Sequence, residues 1–426
     1  MSLYERLKNT AFSLSGNMLG LPLQLLGFVL AARYLGPEQY GVYVFAWEYS
    51  FLCASLGEGG LGIVANRELA RHPGQRGEIL AALVSLKFLL GGVVYLLATG
   101  AAWFWTGSTA EFLTVAVAGI SALILISLPL VYGVLRAINR MGVEGVVAFL
   151  QPFTYVVFVY GQMLIAAAGL GALGIAACLC ASYLVALGFG LVRMRDIAPA
   201  TWRADGPLMR TLMRQALPIG VAYVLSTAYL RTVFLFLKQW TPPQDVACIN
   251  VAINLVFNIN IIPSVLCGAW ISTLALNYQH NRQEFLRQSL ILFGLLLAGC
   301  LATIAVCHPL GQFIINLLFS KEYAAAGPLF QQFIFMVIPM WMAAGMQSVL
   351  ACAGRQGLWT WLMAIGLAAN LLGCVILIPR FGVHGGVWAM LFAGTVSLVV
   401  GLWFCFGIIA RPGEWVQACR RSASEK

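Results

Sequence analysis

Long apolar runs separated by short polar or glycine-rich stretches organise this chain. A helix that crosses a bilayer needs about 20 mostly apolar residues. Twelve segments meet that length, near 11–32, 41–64, 79–101, 112–135, 146–168 and 172–192 in the first half and near 215–237, 246–269, 286–307, 329–350, 358–378 and 386–409 in the second. The second segment is the least regular, because GEGG at 57–60 interrupts it. Pro22, Pro129, Pro152, Pro263 and Pro339 fall inside the runs. Each removes a backbone hydrogen bond, so each predicts a kink. The pattern predicts an all-α polytopic membrane protein.

Composition agrees. The 426 residues are 61% hydrophobic and 9% charged, where a soluble domain carries about 25% charged residues. The opening MSLYERLKNT leads into an apolar run without a small-residue cleavage site, which reads as a first transmembrane helix and not as a removed signal peptide. Most of the eleven cysteines lie inside apolar segments at spacings that suit no metal, and they read as small core residues.

The net charge of +10 matters only through its distribution. With the N-terminus inside, the loops alternate so that nineteen of the 25 bases fall on the inner side. Arg33, Lys238, Lys321 and Arg380 fall on the outer side, and Lys87 and Arg231 lie within spans. This is the positive-inside pattern and places both termini in the cytoplasm. It leaves no basic surface for nucleic acid.

Three local matches suggest that the chain is doubled. RGEIL at 76–80 matches RQEFL at 282–286, VLRAINRMG at 134–142 matches VLACAGRQG at 349–357, and GALG at 171–174 matches GVHG at 382–385. Their offsets of 206, 215 and 211 cluster around half the chain, 213. The expected organisation is an N-terminal six-helix bundle over 1–192, a cytoplasmic linker over 193–214 and a C-terminal six-helix bundle over 215–426. An even number of spans per half makes the repeat parallel, as in transporters with a central cavity between two bundles.

Polar residues inside the spans supply the candidate chemistry. Asn250, Asn254 and Asn258 recur every four residues and so share one helical face; amides that both donate and accept suit sugar hydroxyls. Glu48, Lys87 and Arg231 are the intramembrane charges, with Glu58 near the inner boundary and Asn17 and Arg33 on the first segment. Three placements of Arg231 are open: snorkelling outward, pairing with Glu48, or facing a cavity and binding an anion. The planar guanidinium fork suits a phosphate, with Lys87 as a second positive point.

ARYLGPEQYGVYVFAWEYSFLCASLGEGGLGIVANRELAR (32–71), LFSKEYAAAGPLFQQF (318–333), VLACAGRQG and ANLLGCVILIPRFGVHGGVWAM (369–390) together resemble the polysaccharide transporter family. These are the Wzx-type O-antigen flippases of the multidrug/oligosaccharidyl-lipid/polysaccharide exporter superfamily. The resemblance spans essentially the whole chain. It implies two six-helix lobes around a hydrophilic cavity open alternately to either side of a bacterial inner membrane. It also implies movement of an oligosaccharide on undecaprenyl diphosphate, the precursor of O-antigen or exopolysaccharide, from the inner to the outer leaflet. Arg231, Lys87, Asn250, Asn254, Asn258, Asn17 and Arg33 are then the candidate substrate-binding residues. Glu48 and Glu58 are the candidates for coupling to H+ or Na+. Many relatives carry an acid in helix seven near the place of Arg231, so this chain departs from them there.

No catalytic residue, cofactor or metal is expected. The expected partners are the lipid-linked oligosaccharide, membrane lipids and other polysaccharide assembly proteins. A drug/cation antiporter of the same superfamily would want net acid within the membrane. A membrane-embedded polymerase or ligase would want catalytic side chains on a sizeable outer loop. The connections near 102–111 and 308–328 offer only Glu111, His308, Lys321 and Glu322.

Overall fold

The computed structural model describes residues 3–165, 170–195 and 206–410, and all regular structure among them is helical. In chain order the α-helices are α1 (Leu3–Ser55), α2 (Leu61–Arg71), α3 (Arg76–Trp103), α4 (Thr109–Ala137), α5 (Met141–Ile165), α6 (Gly171–Arg193), α7 (Gly206–Trp240), α8 (Pro243–Ile259), α9 (Ile261–His280), α10 (Arg282–Leu318), α11 (Ala326–Phe333), α12 (Val337–Cys352) and α13 (Gln356–Ala410).

Ten helices among the described residues are long and apolar enough to cross a membrane, which makes this a multi-pass membrane protein. The difference from twelve apolar segments lies in α1 and α13, of 53 and 55 residues. At 1.5 Å per residue each far exceeds a hydrocarbon core of about 30 Å. Both are broken at a glycine in the left-handed region, Gly36 (φ 69°, ψ 168°) and Gly382 (φ 56°, ψ −132°). Side chains with a Cβ rarely adopt such backbone, and Pro37 further disfavours helix at Gly36. The expected segments 11–32 and 358–378 precede these breaks, and the segments starting at 41 and 386 follow them.

Segment 41–64 is not one helix. It stops at Ser55, turns through residues 56–60 and resumes as α2. Pro22, Pro129 and Pro152 are interior to helices as expected. Pro263 and Pro339 are not; each occupies the first turn of a new helix, α9 or α12. There the missing N–H has no intrahelical partner to lose.

The chain forms two compact units, Met1–Cys248 with Leu317–Tyr323, and Ile249–Asn316 with Ala324–Lys426. This differs from the expected division at 192 and 215, because α7 belongs to the first unit. Ion pairs of Arg231 with Glu48 and of Lys238 with Glu111 hold it there, as does a 2.6 Å hydrogen bond from Arg67 Nη2 to Gln215 Oε1. Leu61, Val64, Leu83, Val134, Leu135 and Leu212 form a buried cluster that joins α2, α3, α4 and α7. Residues 196–205 of the expected linker lie outside the described residues.

The first unit also takes in the LFSKEY segment. The Tyr323 hydroxyl donates to the Ala32 carbonyl (2.8 Å), and its ring meets Tyr40 edge-on. Phe319 packs edge-on against Phe28. Burial pushes the Tyr323 phenol well above its usual range, so it remains a donor. Arg33 donates from Nε to the Leu318 carbonyl (2.7 Å) and from Nη2 to the Leu317 carbonyl (2.8 Å). It thereby caps the last turn of α10, where a cation also meets the negative end of the helix dipole. Two stretches that carry the family resemblance, LGPEQYG and LFSKEY, thus fold against each other. Arg33→Ala is expected to cost about 1 kcal/mol through the lost cap, read as a lower Tm of the solubilised protein.

In the second unit Trp341 occupies the space over Gly299, and Phe330, Phe333 and Met346 are buried. His384 Nδ1 lies 3.0 Å from Gln332 Oε1.

Candidate functional site

The charged residues of the first unit are organised by α7. Ala216, Gly220, Tyr223, Thr227, Arg231, Phe234 and Lys238 recur every three or four residues, so they share one stripe. Glu48 of α1 pairs with Arg231, and the backbone at Gly59 abuts Gly220. Eleven residues separate the partners on each segment and the order is reversed, so this part of α1 and its turn run antiparallel to α7.

Arg231 donates from Nη1 to the Glu48 carboxylate. Of the three placements open from sequence, the pair with Glu48 is the one observed. It does not consume the guanidinium. Glu48 is its one hydrogen-bond partner among the described residues, and the Arg231 side chain is 26% exposed against 3% for Glu48. The guanidinium carbon sits 4.8 Å from the centroid of the Phe51 ring, a distance at which a cation is attracted to the ring face. Phe51 stacks on Trp47, and Trp47 lies parallel to Tyr183 at 6.3 Å. The result is a guanidinium with free donors on an aromatic floor, inside a membrane-spanning helix. A buried carboxylate fixes its position.

Further along the stripe Lys238 Nζ lies 3.1 Å from Glu111 Oε2 and over the Phe45 ring. In the other direction Glu58 is buried and accepts a hydrogen bond from its own turn, at Gly60 N–H. Lys87 of α3 is 7% exposed, and its ammonium has no hydrogen-bond partner among the described residues. Glu58 is the charge close enough to act on it. Tyr223 stands between the two charge sites, within electrostatic reach of both Glu58 and Arg231.

In the second unit the asparagines of α8 form the ladder that their spacing predicts. Asn254 Nδ2 donates to Asn250 Oδ1 (2.9 Å) and to the Asn250 carbonyl (3.0 Å), and Asn258 Nδ2 donates to the Asn254 carbonyl (2.8 Å). The ladder therefore uses part of its donors internally. Asn254 and Asn258 are half-buried and Asn250 is buried. Arg33 is committed to the α10 carbonyls, and the Asn17 side chain lies outside the described part of the structure.

Sequence reasoning missed the aromatic floor. Its signal was present, since Trp47 and Phe51 stand at i−1 and i+3 from Glu48 in YVFAWEYSF and side chains three or four apart meet on a helix. Tyr183 comes from α6, and no local pattern connects it to Arg231.

Comparison with known proteins now adds the family. Residues 6–275, more than half of the chain, match the family model described as polysaccharide biosynthesis protein. An uncharacterized membrane protein of Methanocaldococcus jannaschii is 27% identical over 117 residues, 28% of this chain and 23% of that protein, so the match spans about a quarter of the relative's length. Among solved structures, an inward-facing multidrug resistance MATE family transporter of the MOP superfamily matches with a TM-score of 0.78 at 15% identity, covering 94% of this chain and 98% of that one. The lipid II flippase MurJ in an inward closed conformation matches with a TM-score of 0.74 at 11% identity, covering 93% and 87%. A MOP superfamily transporter from Pyrococcus furiosus matches with a TM-score of 0.65 at 17% identity, covering 95% and 96%. At these identities the structural likeness speaks for the fold, and the family model speaks for descent: the chain belongs to the polysaccharide biosynthesis protein family and is built on the fold of the MOP superfamily transporters.

Proposed function

We propose that this protein is a flippase that carries an undecaprenyl-diphosphate-linked oligosaccharide from the cytoplasmic to the periplasmic leaflet of a bacterial inner membrane by alternating access. The observation that carries this reading is Arg231, a half-buried guanidinium with unused donors inside a spanning helix. A charge there is costly and is retained for a task, and a planar fork can grip a diphosphate through paired hydrogen bonds. In this reading the chain crosses the membrane twelve times, α1 and α13 each contributing two crossings about Gly36 and Gly382. The bias of bases toward one side places both termini in the cytoplasm.

The asparagine face of α8 would meet sugar hydroxyls. Asn254→Ala is expected to slow transport about threefold to tenfold, the loss of one or two hydrogen bonds, with the protein inserted at wild-type level. Glu48 and Glu58 are the candidate carriers of a coupling ion.

Depletion of the protein tests the reading, with lipid-linked oligosaccharide measured on each leaflet. Accumulation confined to the cytoplasmic leaflet is the expected result. Normal outward movement with unjoined units outside would point to a polymerase or ligase. Unchanged lipid-linked sugar would point to a drug/cation antiporter.

A further inference from the structure

The α7 stripe carries or faces three acid–base couples, and they are not in the same state. Glu111 with Lys238 and Glu48 with Arg231 are closed ion pairs. Glu58 and Lys87 are not joined. The Lys87 ammonium makes no hydrogen bond among the described residues, although it is buried, and the Glu58 carboxylate is turned onto Gly60 of its own loop. Buried polar groups in folded proteins almost always have partners, and an unpaired buried ammonium is among the most costly exceptions. The group nearest in charge that would relieve it is Glu58.

The loop that carries Glu58 packs between α3 and α7. Residues 56–60 form no helix, and Gly59 and Gly60 both have positive φ (58° and 74°). Gly57 lies against Gly91 of α3, and a Cβ on Gly60 would fall 2.8 Å from the Ile219 side chain of α7. The loop is therefore wedged between the helix that carries Lys87 and the helix that carries Arg231. Turning the Glu58 carboxylate from the loop amide toward Lys87 would exchange one partner for another. Pro218 leaves α7 short of one backbone hydrogen bond where the loop presses on it, so α7 is deformable at that level.

We propose that Glu58 and Lys87 form a reserve ion pair, open in this structure and closed in another step of the transport cycle, and that Lys87 is thereby a positioning residue for α7 and for Arg231. The proposal rests on the flippase reading for its functional consequence, and the pairing itself does not need that reading.

The test is a double-mutant cycle on the full-length protein with two readouts. One is the Tm of the detergent-solubilised protein. The other is delivery of lipid-linked oligosaccharide to the far leaflet in cells that depend on the variant. Glu58→Gln is expected to lower Tm by about 5 °C or more, because the buried Lys87 ammonium then loses its counter-charge, whereas Lys87→Met, which removes that ammonium and leaves Glu58 on the Gly60 amide, is expected to melt close to the wild-type temperature. The double variant is expected to regain most of that loss, which shows the coupling whatever the cargo. Transport is expected to fall at least about tenfold in both single variants and to stay low in the double variant, since a neutral couple cannot close. Lys87→Arg, which keeps the charge, is expected to restore part of it. Additive Tm changes would overturn the pairing. Wild-type transport in Lys87→Met or in the double variant would overturn the positioning role. Failure of the wild-type protein itself to deliver the oligosaccharide would remove the flippase reading and with it the positioning role, while the Tm cycle would still decide the pairing.

Discussion

Replacing Arg231 by alanine is expected to reduce transport at least about a hundredfold while the protein still inserts. Two effects add. The Glu48 carboxylate, 3% exposed, is left without its counter-charge, which for a buried pair costs about 3–5 kcal/mol. The cargo also loses a charged bidentate donor, worth about 1.5–3 kcal/mol for each hydrogen bond to a charged group. Arg231→Lys is expected to retain the pair with Glu48 and part of the transport, because an ammonium supplies charge without the planar fork. The informative variant is Arg231→Met with Glu48→Gln. Removing both members of a buried pair is often neutral for stability, so this protein is expected to melt close to wild type. If Arg231 grips the diphosphate, transport stays lost in the double variant. Transport restored to wild-type level would make the pair purely structural and would remove the anion site. Delivery of lipid-linked oligosaccharide to the far leaflet, together with Tm, reads all three variants.

Much of this arrangement is legible in the chain itself. The apolar runs announced a multi-pass helical membrane protein, since lipid forbids unpaired backbone and allows little but long helices, though their ends were not legible and the break at 56–60 showed only as an irregular second run. The charge pattern singled out Arg231, Glu48, Lys87 and Glu58, which are too costly in a membrane to be incidental. The four-residue spacing of Asn250, Asn254 and Asn258 gave the ladder directly, because the i, i+4 relation is fixed by helix geometry. What was not legible depends on contacts distant in sequence. The capping contacts of Arg33 were hidden because its partners, the Leu317 and Leu318 carbonyls, are 284 and 285 residues away. The placement of α7 in the first unit was hidden for the same reason: Glu48 and Arg231 are 183 positions apart. Pro263 and Pro339 read as interior kinks because a sequence shows a proline but not the helix start that accommodates it. The burial of the Lys87 ammonium without a hydrogen-bond partner among the described residues was likewise not legible, because it depends on packing and not on local spacing.

The last glycine of the LGPEQYG motif carries the second large effect. Gly41 has no structural peculiarity of backbone, and α1 is an ordinary helix at that point. Its role is one of space. A Cβ on Gly41 would lie 2.5 Å from the Pro243 carbonyl carbon and closer still to its oxygen. Real Cβ atoms do not approach backbone so closely, and a peptide group at the start of α8 has no side-chain rotamer with which to yield. Gly41→Ala must therefore push the start of α8 away from α1 and open the packing around Tyr40, which is fully buried. The expected cost is about 3 kcal/mol, the upper range for overpacking, seen as a large fall in Tm and in the fraction recovered as monodisperse protein. Gly92→Ala in α3 is the matched control. Nothing lies within 4 Å of the Cβ it would add, and alanine is the better helix former by up to about 1 kcal/mol. That variant is expected to melt at or slightly above the wild-type temperature. A Gly41→Ala protein that melts with the control would mean that α1 and α8 do not meet as closely as Gly41 and Pro243 do here. The conserved chemistry of the substitution makes the comparison one of geometry alone: the same methyl group is added to two helices, once against backbone and once into open space.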